Sequence, residues 1–240
     1  MTRKSGAVIV GFLIVPMAVL LVSVIMGNHL SQVSAKLASI PPTIVIDAGH
    51  GGEDGGAISV YGTRESAINL SISQKLEQMF ALCGFRTYMV RSDDTSIYTS
   101  DAQTLSEKKA SDLKERVRIC NSIPGAVLVS IHQNHFDESQ YSGAQVFYAK
   151  TNRSKIFAEI TQESLRTALD PTNRRASAPA NSVYLLNHIS CTGILVECGF
   201  LSNPTEATLL QDEIYQIKIS CALVRAMAQL LERGEHPSEV

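Results

Sequence analysis

Apolar residues along this chain fall into short β-branched runs separated by stretches with helical spacing. The run Thr43 to Asp47 (TIVID) reads as a buried strand. From Glu65 to Cys83, the apolar positions Ile68, Ile72, Leu76, Phe80 and Cys83 recur at helical intervals, and Gly84 marks the stop. Phe85 to Val90 reads as a second strand. Thr95 to Ala110 is polar and weakly periodic, an exposed excursion into a helix from about Leu113 to Asn121. Ala126 to Ile131 and Ala144 to Tyr148 are further strands. Ser154 to Leu169 is a helix with Phe157, Ile160 and Leu165 inward, closed by Asp170-Pro171. Tyr184 to Leu186 reads as a short strand and Ile194 to Glu197 as another. Asn203-Pro204 starts a helical stretch through Leu210, and Ile214 to Leu231 is a long amphipathic helix. Strands alternating with helices predict an α/β fold: a single domain whose mostly parallel twisted sheet carries helices on both faces.

The start of the chain breaks this pattern. Ala7 to Met26 is apolar and uncharged, follows Arg3 and Lys4, and is long enough to cross a bilayer as a helix. The same charge–apolar–polar order describes a secretory signal peptide, with Val33-Ser34-Ala35 as a small-residue cleavage site. The expected organisation is a signal peptide or N-terminal membrane anchor over 1–35, a linker over 36–42, one catalytic domain over 43–233 and a polar tail over 234–240. Both versions place the protein across, or anchored to, the cytoplasmic membrane. With Lys+Arg 21 against Asp+Glu 23 and a net charge of -2, nothing points to nucleic acid. The five cysteines (Cys83, Cys120, Cys191, Cys198 and Cys221) form no CxxC and sit among apolar neighbours, so they are expected to be buried and reduced. A Cys191–Cys198 disulfide is the lesser alternative. Cys198 as a nucleophile is discounted, because Glu197 would not activate it as a histidine would.

Chemistry concentrates at the predicted strand ends, where parallel sheets open into loops. His50 follows TIVID, His132 ends VLVSI, and Glu197 ends ILV. Glu65 sits at the start of the helix after the first strand, where the helix dipole favours a carboxylate. Two imidazoles and one carboxylate suit an open zinc site, leaving Glu197 as candidate general base and acid. Asp47 is expected to orient His50 or its loop, and Asn134 to tie down the loop bearing His132. Glu53 and Asp54 are placed at the rim, and Arg116 is the candidate partner should Glu197 prove a paired structural carboxylate. His135 and His188 could add ligands, although substrate-side or surface positions suit them better. Taken singly, each residue has a structural reading, and Asp47 to Gly52 (DAGHGG) could pass for a phosphate loop. It fits neither GxxxxGK[ST] nor GxGxxG, however.

IVIDAGHGGEDGGA, Glu65 ahead of INL, VLVSIHQN, SGAQVFY and ILVECGFLSNPTEATLL resemble, in order, the motifs of the zinc N-acetylmuramoyl-L-alanine amidases of the Amidase_3 type, from about Thr43 to Leu231. The resemblance implies one zinc ion held by His50, Glu65 and His132, with Glu197 matching the catalytic glutamate. It further implies hydrolysis of the amide between N-acetylmuramic acid and L-alanine in peptidoglycan. DLKERVRICN and NSVYLLNH are similar to the CwlD-type branch of endospore formers. That branch implies a site of action in the forespore intermembrane space, cortex synthesis coupled to a separate muramic acid deacetylase, and muramic-δ-lactam formation for germination. A vegetative autolysin, another zinc peptidase or deacetylase of the wall, and a non-catalytic wall-binding module are the alternatives. No wall-binding repeat follows Leu231, so targeting is expected from the N-terminal segment or from a separate targeting or activating protein.

Overall fold

A computed structural model describes residues 42–233. The apolar stretch at 7–26, the cleavage site, most of the linker and the polar tail lie outside the described residues. Among the described residues, no helix is long and apolar enough to cross a membrane.

Six strands, β1 (Thr43–Ala48), β2 (Arg86–Met89), β3 (Ala126–Asn134), β4 (Gln145–Tyr148), β5 (Ala178–Pro179) and β6 (Thr192–Phe200), form one sheet in the order β2-β1-β3-β6-β4-β5. β1 runs parallel to β2 and β3, and β3 parallel to β6. Only β4 turns antiparallel against β6, with β5 parallel to β4. The sheet is therefore mixed but mostly parallel, as the alternating pattern predicts. The helices are α1 (Glu65–Leu82), α2 (Leu105–Ser122), α3 (Asn152–Leu169), α4 (Tyr184–His188), α5 (Pro204–Leu209) and α6 (Glu213–Glu232).

Alternation along the strands divides the core in two. Ile44, Ile46, Val127, Val129, Ile131, Val146, Ile194 and Val196 face the inward sides of α1, α3 and α6, which supply Ile72, Phe80, Phe157, Leu165, Leu223 and Met227. Val45, Leu128 and Leu195 face the other way, toward Cys120 on α2 and Leu185 and Leu186 on α4. Each fully buried aliphatic or phenyl side chain contributes about 1.5–3 kcal/mol.

Three expectations are corrected. Tyr184 to Leu186 is not a strand but the first part of α4: Tyr184 stacks on His188 with ring centroids 4.0 Å apart, a pairing that helical i,i+4 spacing permits. The helix expected from Leu113 begins at Leu105, because Thr104 and Glu107 form a reciprocal capping box. The five thiols are all free, so no Cys191–Cys198 bridge forms. Cys120 and Cys198 are buried, but Cys83 lies exposed just past the end of α1 and Cys221 on the solvent side of α6, where position around the helix and not the apolar neighbours in sequence decides burial.

Candidate functional site

The carboxyl ends of β1, β3 and β6 lie side by side, and the site is built there. Paired residues share a face, so the register that sets His132 opposite Glu197 puts both side chains over the same crevice. β1 ends one residue earlier in space. Its continuation, Gly49 to Gly52, folds back across the strand ends, with the Gly49 amide donating to the Ile131 carbonyl at 3.0 Å.

That loop can be followed atom by atom. A β-carbon on Gly49 would sit 2.3 Å from the His132 ring, so only glycine lets β1 pass beneath the imidazole. His50 itself has φ 60, a region disfavoured for a residue with a side chain, and it is held there from several directions. Gly51 and Asp54 exchange backbone hydrogen bonds at 2.8 and 3.1 Å. His50 Nδ1 faces the Asp54 carboxylate at 2.9 Å, and Arg116 Nη2 donates to the His50 carbonyl at 2.9 Å. Arg91, buried just past β2, donates from Nε to the Ala48 carbonyl at 2.8 Å and from Nη2 to the Gly49 carbonyl at 3.0 Å.

Glu65 is buried at the N-terminus of α1 and receives the two histidines on its two oxygens. His132 Nδ1 lies 3.1 Å from Oε1, and His50 Nε2 lies 3.3 Å from Oε2. Backbone amides of Gln133 (3.1 Å) and Ala57 (2.9 Å) also donate to Oε1 and Oε2 respectively, and Asn69, one turn on, donates to Oε1 at 3.2 Å. Candidate ligand atoms of His50, Glu65 and His132 all lie within 4.8 Å of one another. Burial alone would raise the Glu65 pKa, but hydrogen bonds and charge from His132 and His50 outweigh it and hold the carboxyl far below the usual range. For His50, burial pulls downward, yet Glu65 and then Asp54 win and push the imidazole up to about 9.

Glu197 has the opposite setting. Its Oε2 is buried and makes no hydrogen bond. Burial, reinforced by the Glu65 charge and opposed by His132 and His50, pushes its carboxyl up to about 7. One carboxylate is thus held ionised among the histidines, while its neighbour is poised to take and release a proton.

The remaining predicted residues divide. Asp47 does not reach the His50 ring. It is buried, accepts from Ser130 Oγ at 2.6 Å and pairs with Arg116, so it acts on the loop through that arginine. Arg116 pairs with Asp47 and with Asp112 rather than Glu197, and its Nη1 also donates to the Ala48 carbonyl at 2.9 Å. Asn134 continues β3; its Oδ1 accepts the His135 amide at 2.8 Å and its carbonyl accepts the Leu201 amide at 2.8 Å. Glu53 stays at the exposed rim, paired with Lys108 at 2.8 Å. His135 is exposed, and His188 packs on Tyr184. The arrangement relies on three residues the sequence reading did not assign: Asp54 as partner of His50, Asn69 beside Glu65, and Arg91 under the loop. In the sequence Asp54 reads only as a rim acid and Arg91 only as a charge ending an apolar run, while Asn69 gives no signal.

Two outcomes follow from this packing. Gly49→Ala should weaken metal binding by about 10–100-fold, the range for disturbing a ligand's support, because the methyl must push the His132 ring aside. Competition titration with a zinc-chelating dye checks it. Arg116→Met should cost about 3–5 kcal/mol in urea unfolding at pH 7, since it strands Asp47 as a buried charge. Burial raises the Asp47 pKa, but Arg116 lowers it further, so the net shift is downward from 3.8. The pair's contribution is therefore complete above about pH 4 and is lost as pH falls below it. The gap between wild type and variant should close in acid.

Comparison with known proteins decides the family. A profile described as N-acetylmuramoyl-L-alanine amidase, Amidase_3, matches residues 44–229. The chain belongs to that family. The amidase is 34% identical over 196 residues to the germination-specific N-acetylmuramoyl-L-alanine amidase of Bacillus subtilis strain 168, covering 81% of this chain and 82% of that protein. It is 30% identical over 208 residues to LytC of the same organism, covering 83% of this chain but only 38% of that longer protein. Among solved structures, the CwlD amidase from Clostridioides difficile in complex with the GerS lipoprotein matches with TM-score 0.77 and 39% identity, over 80% of this chain and 99% of that one. An N-acetylmuramoyl-L-alanine amidase from Clostridium difficile 630 matches with TM-score 0.71 and 28% identity, over 82% and 100%.

Proposed function

We propose that this amidase is a zinc enzyme that cuts the bond between N-acetylmuramic acid and L-alanine in spore-cortex peptidoglycan, preparing muramic-δ-lactam formation for germination. One observation carries the chemistry: His50, Glu65 and His132 converge within 4.8 Å beside a carboxyl whose Oε2 is unbonded. Two imidazoles and one carboxylate form a donor set that suits an open zinc site. A zinc ion there would supply Lewis acidity, polarising the scissile carbonyl and lowering the pKa of water.

The chain's own residues do the rest. Glu65 brings the anionic ligand and, through Gln133 and Ala57, fixes it to the backbone. Asp54 orients His50 by its Nδ1, leaving Nε2 toward Glu65. Glu197, with a carboxyl titrating at about 7, accepts a proton from the attacking water and returns it to the alanine nitrogen as the amide breaks.

The cortex assignment is supported by the two relatives matched over most of their length, one germination-specific and the other the CwlD amidase. The second of these was solved with a lipoprotein, which supports a separate partner here in the role of targeting or activating protein. Coupling to a muramic acid deacetylase, and placement in the forespore intermembrane space with residues 1–35 as leader or anchor, complete the reading.

Digesting cortex and vegetative peptidoglycan side by side and identifying the products tests it. New L-alanine amino termini, lost on chelation and restored by zinc, are expected, with cortex the better substrate. Release of acetate, or a cut within the peptide, would replace the amidase reading with that of a deacetylase or peptidase.

A further inference from the structure

The row of the sheet that holds the proton carrier continues past it. Gln145 on β4 pairs directly with Glu197 on β6, as His132 does from the other side, so the three side chains lie in line on one face. Next beyond Gln145, outside β5, comes Arg175. Its guanidinium is fixed: Nη1 donates to Gln145 Oε1 at 3.1 Å, Nε donates to the Ser142 carbonyl at 2.9 Å, and the plane lies 4.6 Å over the Phe200 ring. Phe200 pairs with Asn134 above Glu197, which keeps Arg175 at the same end of the sheet.

Among the described residues, no carboxylate lies within ion-pair distance of Arg175. The nearby Glu206 feels its charge but spends both oxygens on the amides of Gly143 and Phe200. Two other arginines near the crevice, Arg91 and Arg116, are buried and committed to carbonyls and aspartates. Arg175 is half-buried, orientated on two sides and stacked on an aromatic ring, an arrangement suited to a planar anion arriving from solvent.

We propose that Arg175, held by Gln145 and Phe200, is a specificity-determining residue that binds the first carboxylate of the peptide downstream of the scissile amide. This rests on the amidase reading. With the lactyl carboxyl tied up in the amide, the glycan side of that substrate offers hydroxyls and an acetamide, so its anions belong to the peptide. Neighbouring strands lie about 5 Å apart, and a peptide residue advances about 3.3–3.6 Å. The Arg175 guanidinium reaches back to Gln145, one strand spacing from Glu197, and over Phe200 on the strand of Glu197 itself, so it stands one or two residues beyond the cleaved bond, where the free α-carboxylate of the second peptide residue, a γ-linked D-glutamate, falls.

The test uses the full-length, zinc-loaded protein and two synthetic muramoyl pentapeptides that differ only at that group, one carboxylate and one carboxamide. Wild type should favour the carboxylate by about tenfold in kcat/KM, about 1.4 kcal/mol. Arg175→Gln should bring the ratio to about 1, and Arg175→Lys should restore part of it. A wild-type ratio near 1, or an Arg175→Gln variant that keeps the wild-type ratio, would overturn the proposal. If wild type cleaved neither compound, the amidase reading would fall and this one with it.

Discussion

Glu197→Gln is expected to lower kcat on a muramoyl peptide by about 10²–10⁴-fold, the usual contribution of a positioned acid–base group. Zinc content should stay at the wild-type level, since Glu197 is not one of the three converging donors. The amide matches the carboxylate in shape but cannot carry a proton. Stability gives an independent check. The Glu197 carboxyl is raised above its unfolded value by burial and by the Glu65 charge. It therefore weakens the fold progressively as pH rises from the ordinary carboxylate range through about 7. Gln removes that cost, so the metal-free variant should melt at the same temperature or higher at pH 8. A structural carboxylate would give the reverse. Full turnover in the variant would show that the proton passes through another group.

Glu65→Gln should be as damaging by a different route. Loss of the anionic donor is expected to weaken zinc binding by at least about 100-fold, at or beyond the upper end of what disturbing a ligand's support costs, with turnover falling in step with occupancy. The pH dependence distinguishes this from misfolding. In the metal-free protein, burial lowers the His50 pKa, but Glu65 and Asp54 more than compensate and set it at about 9. A metal must displace that proton, so wild-type affinity should climb with pH, roughly tenfold per unit, until about pH 9. In the Glu65→Gln variant the imidazolium loses its main counter-charge, and the climb should level off at lower pH. Zinc competition titrations between pH 6 and 9.5 would reveal both effects. An unchanged affinity profile would remove Glu65 from the ligand set.

Much of this site was legible because its four principal residues stand at punctuation marks. His50, His132 and Glu197 each follow a β-branched run, and Glu65 opens a helix; in a parallel sheet such ends gather on one edge. What the sequence could not disclose was partnership. Arg116 is as consistent with pairing to Glu197 as to Asp47 until the register places Asp47 beside Ser130 and Glu197 beside His132, two residues further along. Asp54 reads as a rim acid because its turn back to His50 depends on Gly51 and Gly52 at positive φ. Arg91 and Asn69 bond carbonyls and carboxylates that lie far from them in sequence or around a helical turn, and no local pattern specifies such bonds. The missed start of α2 is a different failure. Its signal, Thr104 three residues before Glu107, is local, but the weak apolar periodicity of that exposed helix concealed it. Tyr184 to His188 is too short for periodicity to tell helix from strand.

The arginines beneath the His50 loop also set an order of events. Ala48, Gly49 and His50 present their carbonyls to Arg91 and Arg116, and each guanidinium is anchored elsewhere in the domain, at Ser66 or at Asp47 and Asp112. The strained His50 backbone is thus held by bonds internal to the polypeptide. The backbone that presents His50 is therefore settled by the packing of the domain itself, and the ring's own partners act on a loop already placed.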